Sequence, residues 1–250
     1  MYLLLGALRR SHVPSTAIRA GKWRGNMGLG HGPEGKVLGI LGMGGIGRAL
    51  ALRAVPFGFQ IQYHNRRPVF GELNPTNAKY VSFEELLRTS DVISIHLPLS
   101  HLTRYMIGQK EFAMMKDGVV VVNTARGSII DENALVKALD SGKIFGAGLD
   151  VFEKEPEIHP GLIEHNNVVL LPHAACLTFE IQVCGIMDNI SIGLICLLWI
   201  WRISDMCREF LLTPTFKQRA MEILVIDNLR SAIENGSLLT PVAEQQKSKL

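Results

Sequence analysis

Lys36 to Gly47 reads KVLGILGMGGIG, and the reading of this stretch decides the fold. Val37 to Leu41 is a short apolar run. Gly42-x-Gly44-x-x-Gly47 follows at once, and an amphipathic segment, Ile46 to Val55, comes next. That order predicts strand, tight turn and helix. Gly42 permits the sharp turn, Gly44 lets a pyrophosphate approach the backbone, and Gly47 lets helix and strand pack closely. Phosphate oxygens then meet the free N–H groups at the helix N-terminus. A glycine-rich turn in an unrelated α/β unit carries the same three residues. The strand before and the helix after favour the dinucleotide reading.

The flanking sequence predicts the same architecture repeated. Strands are expected at Phe59–Tyr63, Ala78–Val81, Asp91–Leu97, Gly118–Asn123, Ile144–Val151 and Val168–Leu171. Helices are expected at Ser82–Arg88, with Ser82 and Glu85 as a capping box, at Thr103–Met115, and at Asp131–Ser141, stopped by Gly142. Gly118–Asn123 is almost continuous valine, as expected for a strand buried on both faces. Strands alternating with helices predict an α/β fold, a doubly wound parallel sheet of Rossmann type. Upstream, residues 2–20 read as a helix broken or kinked at Pro14, and Gly21 to Gly35 as a polar link.

Composition excludes several classes. A hydrophobic share of 47% with 20% charged residues is ordinary for a globular protein. A net charge of +3 spread along 250 residues does not point to nucleic acid. Met1 to Arg10 is apolar first and basic second, the reverse of a secretory leader. The longest apolar run, Ile190 to Trp201, is short for a membrane span. Cys176, Cys184, Cys196 and Cys207 form no C-x-x-C pair. Neither a metal site nor a disulfide framework is expected, and a reducing, cytoplasmic compartment is.

Candidate chemistry gathers at predicted strand ends. After the second strand, where an acid would bind the ribose hydroxyl of NAD, the chain carries Asn65-Arg66-Arg67. A guanidinium can hold the 2′-phosphate of NADPH with paired hydrogen bonds, so NADPH is preferred over NADH. The alternative is that Arg66 and Arg67 are solvated loop charges. Asn123-Thr124-Ala125-Arg126 follows the valine strand; Arg126 there could clamp a substrate carboxylate or form a structural ion pair. Asp150 ends the next strand, where a nicotinamide carboxamide could be held, and Glu155 follows in the loop. His173 follows the last strand and Pro172. Ketone reduction needs a hydride and a proton, and histidine suits the proton role. A neighbouring carboxylate would fix the ring.

These stretches resemble the D-isomer-specific 2-hydroxyacid dehydrogenases, most of all the fungal-type glyoxylate/hydroxypyruvate reductases. The resemblance rests on LGALRR, AGKWRG, LGILGMGGIGRALALRAVPFGFQIQYHNRRP, DVISIHLPLSHLTRYMIG, VVVVNTARGSIIDENALVKALDSGKIFGAGLDVFEKEP and VVLLPHAA. It runs from about residue 3 to 182 and resumes from Ala220 to about Gln246. It implies that His173 is the acid–base residue, Glu155 its carboxylate partner and Arg126 the substrate carboxylate binder. It implies that Asp150 contacts the nicotinamide, and that Gly44, Gly45, Ile46, Thr124 and the Pro98–Thr103 segment line the cofactor. It implies a homodimer acting on a small 2-keto or 2-hydroxy acid, without nucleic acid or membrane partners.

Two departures accompany it. The family carries a substrate lobe ahead of the cofactor domain, whereas this chain begins at the helix entering that domain. The division expected is 1–35 entry helix and linker, 36–182 dinucleotide-binding domain, 183–218 insertion and 219–250 C-terminal helix and tail. A cleft with one wall is expected to bind NADPH and turn over poorly. The second departure is Val183 to Gln218, which interrupts the last long helix and reads as a translated, unspliced intron. A lineage-specific insertion or an apolar helix is the alternative. Exposed Leu197, Leu198 and Trp199 are expected to favour aggregation. Other readings of the whole chain are a cofactor-binding fragment or nucleotide-sensing interaction module without useful catalysis, and a phosphoglycerate or formate dehydrogenase.

Overall fold

The structure, a computed structural model, describes residues 1–23, 27–71, 74, 76–175 and 177. Met1–Leu177 forms one compact unit. The insertion expected at Val183–Gln218 and the helix expected after it lie outside the described residues.

Seven strands, β1 (Val37–Leu41), β2 (Gln60–His64), β3 (Lys79–Tyr80), β4 (Val92–Ile95), β5 (Val119–Asn123), β6 (Ile144–Leu149) and β7 (Val168–Leu170), form one sheet. Its order is β3-β2-β1-β4-β5-β6-β7, and every pairing is parallel. The order reverses between β1 and β4, which stay paired to their carboxyl ends at Leu41 and Ile95; the connections that follow leave to opposite faces, and the crevice lies between them. This is the doubly wound sheet expected from the glycine stretch.

The helices are α1 (Tyr2–Arg9), α2 (His12–Arg19), α3 (Gly45–Ala54), α4 (Phe83–Thr89), α5 (Gln109–Met114), α6 (Glu132–Asp140) and α7 (Pro160–Ile163). The valine run explains how two layers form. Val119 and Val121 pack with Leu86, Phe112, Leu135 and Leu139 of α4, α5 and α6. Val120 and Val122 pack with Leu4, Leu8 and Ala51 of α1 and α3 on the opposite face. Alternating side chains thus feed both cores, and each buried valine contributes about 1.5–3 kcal/mol.

Local sequence starts the helices where expected. Ser82 Oγ accepts from Glu85 N–H at 3.0 Å. Glu85 spends its own carboxylate on Lys79, 2.9 Å away, so it pairs with β3. Asp131 Oδ1 caps α6 by accepting from Ala134 N–H at 3.1 Å, and Gly142, at φ +75°, follows its end.

Two helices differ from expectation. The 2–20 segment breaks at Arg10, not at Pro14. Arg10 takes φ 52°, with Arg10 N–H on Ala7 O and Ser11 N–H on Gly6 O, the crossed bonds of a Schellman cap. Pro14 sits in the first turn of α2, where its missing N–H would have had no partner. The helix expected from Thr103 begins only at Gln109. Residues 101–105 are turn, Tyr105 has φ 52°, and Ile107 makes a parallel bridge with Ile130. Glu111 Oε2 accepts from Gly108 N–H at 3.0 Å, which sets the later start.

Candidate active site

At the β1–α3 junction, Gly42 takes φ +105°, and a Cβ there would stand 2.8 Å from His96 O. A Cβ on Gly47 would stand 2.3 Å from Gly42 O, so strand and helix touch backbone to backbone. Among the described residues, nothing lies within 4 Å of the Cβ positions of Gly44 and Gly45, and no side chain caps α3. An open cradle with uncapped N–H groups fits a pyrophosphate, with Gly44, Gly45, Ile46 and Gly47 as the residues that would hold it. Asn65 faces this loop, and its Oδ1 accepts from Met43 N–H at 2.7 Å. Its side chain therefore sets the glycine loop against the end of β2. Arg66 and Arg67 follow and are exposed. Thr103 closes the Pro98–Thr103 turn on itself: its Oγ1 donates to Pro98 O at 2.7 Å and accepts from Ser100 N–H at 2.8 Å.

Three further strand ends bring Arg126, Glu155 and His173 together. His173 Nδ1 lies 2.9 Å from Glu155 Oε2, and Nε2 has no hydrogen-bond partner among the described residues. With a carboxylate as acceptor, Nδ1 carries the proton. Glu155 Oε1 accepts from Phe152 N–H at 2.9 Å. Partial burial alone would raise the Glu155 carboxyl. The hydrogen bonds from His173 and Phe152, and the positive charges of His173 and Arg126, outweigh it and hold the group below the ordinary carboxylate value. Arg126 is exposed and spends one N–H of its guanidinium on Ala125 O, 2.6 Å away. Among the described residues the others have no partner, so they are available to an anion.

His173 has φ 53°, a left-handed conformation that costs a non-glycine residue free energy. Asp150 secures it. This carboxylate is 1% exposed and accepts Ala174 N–H at 2.7 Å and Ala175 N–H at 3.0 Å. Asp150 thus braces the backbone just past His173 as well as facing a cavity of about 200 Å³ with Thr124, Ser94 and His96.

His96 is a residue the sequence reading passed over. It directly follows β4 beside the switch point and is half-buried; its Nε2 lies 2.9 Å from Ser94 Oγ, and desolvation above all pushes its pKa down to about 4. Its signal was available: it follows a strand at the carboxyl edge, as His173 does. Among the described residues, no group of three His, Cys, Asp or Glu could hold a metal ion, and no helix is long and apolar enough to cross a membrane.

Comparison with known proteins places this geometry. Residues 1–175 match the family described as D-isomer specific 2-hydroxyacid dehydrogenase, NAD binding domain. The 4-methyl-2-oxopentanoate reductase A of Aspergillus oryzae is 49% identical over 246 residues, covering 98% of this chain and 64% of that protein. A glyoxylate reductase structure from Paecilomyes thermophila aligns with TM-score 0.75 at 51% identity, over 98% of this chain and 63% of the other. An NADPH-dependent glyoxylate/hydroxypyruvate reductase of Sinorhizobium meliloti, in complex with NADP and malonate, aligns with TM-score 0.71 at 31% identity, over 97% of this chain and 65% of the other. The chain therefore spans just under two thirds of the length of these relatives. It belongs to the D-isomer specific 2-hydroxyacid dehydrogenase family, and residues 1–175 are its NAD binding domain.

Proposed function

We propose that this chain carries the reaction centre of an NADPH-dependent reductase that converts a small 2-keto acid of the glyoxylate or hydroxypyruvate type to its D-2-hydroxy acid. The observation that carries this is the Glu155–His173 pair at 2.9 Å, with Arg126 near enough to lower the Glu155 carboxyl. Reduced nicotinamide, when bound, supplies the hydride to the carbonyl carbon. The free N–H groups of Arg126 hold the substrate carboxylate and turn the carbonyl toward His173. Protonated Nε2 of His173 delivers the proton to the carbonyl oxygen, and Glu155 stabilises the imidazolium and keeps its ring oriented. Thr124 and the Pro98–Thr103 turn would line the dinucleotide, and Asp150 would meet its nicotinamide end.

Arg66-Arg67, with no acid beside them, support the preference for NADPH. The printed names of the relatives support the substrate class: all three are reductases of short 2-oxo acids, and one of them is NADPH-dependent. Family membership supports a homodimer, and the cysteine pattern a reducing cytoplasmic compartment. Sedimentation equilibrium and cell fractionation check these two points.

The test is titration of the purified chain with NADPH and NADH, followed by NADPH oxidation with glyoxylate, hydroxypyruvate and 4-methyl-2-oxopentanoate. Turnover that falls about 10²–10⁴-fold in His173→Asn, with NADPH affinity kept, is the expected result. Cofactor binding without turnover on any keto acid would instead assign the chain a binding role.

A further inference from the structure

Glu132, the first residue of α6, is 7% exposed. Its helix needs nothing from it, because Asp131 already supplies the cap. The Glu132 carboxylate reaches away from α6 instead, and its Oε1 accepts Glu153 N–H at 2.7 Å. Glu153 belongs to the Phe152–Glu155 turn, which carries the carboxylate that orients His173. A second contact joins the same turn to the Arg126 segment. A Cβ on Gly127 would stand 1.9 Å from Phe152 C and 2.4 Å from Glu153 N, so the two backbones lie against each other. Tyr105 ties the third strand-end loop to them, with its N–H on Ser128 O at 2.8 Å and its hydroxyl on Glu153 Oε1 at 2.5 Å.

We propose that Glu132 is a positioning residue, whose hydrogen bond to Glu153 N–H sets the distance and angle between Arg126 and the Glu155–His173 pair. It touches neither substrate nor cofactor. The turn that carries the Glu155 carboxylate is pinned at two backbone donors one peptide apart: Phe152 N–H binds Glu155 itself, and Glu153 N–H binds Glu132. Releasing the second donor lets the turn rotate, and the carboxylate moves with it. Burial, first of all, raises the Glu132 carboxyl; the Glu153 N–H bond and the charges of His159 and Lys154 oppose this, while Glu153 adds to it. Glu155 in turn faces His173 and Arg126.

This inference rests on the proposed reductase reading, but its readout does not need turnover. The Glu155 carboxyl is titrated by carbon NMR in the whole chain, in wild type, Glu132→Asp and Glu132→Gln. Aspartate keeps the charge but is one methylene too short to reach Glu153 N–H. Glutamine keeps the reach and an acceptor oxygen without the charge. In Glu132→Asp the Glu155 midpoint rises toward the ordinary carboxylate value, and in Glu132→Gln it does not. If the chain reduces keto acids, kcat in Glu132→Asp falls about 10–100-fold while NADPH affinity stays within about two-fold, and Glu132→Gln recovers most of it. An unshifted Glu155 midpoint in Glu132→Asp overturns the proposal, as does an equal upward shift in both variants. Absence of keto-acid turnover in wild type, with the midpoint still responding, counts against the reductase reading alone.

Discussion

Asp150 holds Ala174: its buried carboxylate accepts Ala174 N–H at 2.7 Å, one residue beyond the left-handed His173. Replacing it with alanine leaves this donor and that of Ala175 without their acceptor. Asp150→Ala should lose about 1–3 kcal/mol of stability for each exposed donor, less whatever water recovers. His173 should also relax from φ 53°. Chemical denaturation measures the first effect. Loss of the His173 Nδ1–Glu155 hydrogen bond, followed in imidazole nitrogen NMR spectra at neutral pH, measures the second. A fully stable variant with that hydrogen bond intact would show that Asp150 does not brace the loop.

His96 predicts a pH dependence of stability. Its folded pKa, lowered mainly by burial, is about 4 against an ordinary 6.5. Between those values the unfolded chain takes up a proton that the folded chain does not. Stability therefore falls as pH drops from about 6.5 toward about 4, by about 3 kcal/mol at most. In His96→Gln that part of the slope should vanish. Urea unfolding across the window checks it, and equal slopes in both proteins would rule the prediction out.

Glu155 predicts a second window. Its folded value lies below the ordinary 4.5, so its stabilising effect is present above that pH and is lost as pH falls through the folded value. Wild type should exceed Glu155→Gln in stability near neutrality, and the margin should close in acid. The pair is partly solvent-exposed, so the margin is small. Paired acid-unfolding curves measure it, and a margin that widens in acid would reverse the assignment.

Arg66 and Arg67 predict the cofactor preference. Changing both to alanine removes charge-assisted bonds of about 1.5–3 kcal/mol with a 2′-phosphate, so NADPH affinity should drop about 10–100-fold. NADH, which lacks that phosphate, should bind within about two-fold of wild type. Fluorescence titration with both nucleotides separates the cases. An equal loss for both would make the arginines general phosphate contacts.

Gly47→Ala should disrupt the cradle, because the new methyl would meet Gly42 O at 2.3 Å, and backbone cannot yield as a side chain can. Binding of either nucleotide should weaken by at least about ten-fold, with stability reduced by about 1–3 kcal/mol. Gly44→Ala is the contrast: open space surrounds that Cβ, so stability should hold while nucleotide binding falls. If both variants lost only stability, the loop would be a packing device.

The strands and most helix starts were legible because they depend on near neighbours in sequence. A valine run can be buried on both faces wherever it lies, and Ser82 and Asp131 cap helices through N–H groups three residues away. The two misplaced boundaries depend on distant partners or on a conformation the local residue does not favour. Arg10 sits in the left-handed region that glycine usually fills at a helix end. Tyr105 is held out of helix by Ser128 and Glu153, the second 48 residues away.

The site divides in the same way. That Arg126, Glu155 and His173 would gather was visible because each lies in the segment that follows an apolar strand, and parallel strands bring all such segments to one edge. Their order of contact was not visible. Only the folded sheet shows that Asp150 spends its charge on the backbone beyond His173, that His96 lies half-buried beside the crevice, and that Glu132 reaches from α6 to the turn beneath Glu155. Periodicity and spacing decide which face or edge a residue occupies. Which donor a buried carboxylate finds there depends on how neighbouring loops pack, and those contacts join residues about 20 or more positions apart, beyond the reach of any local pattern.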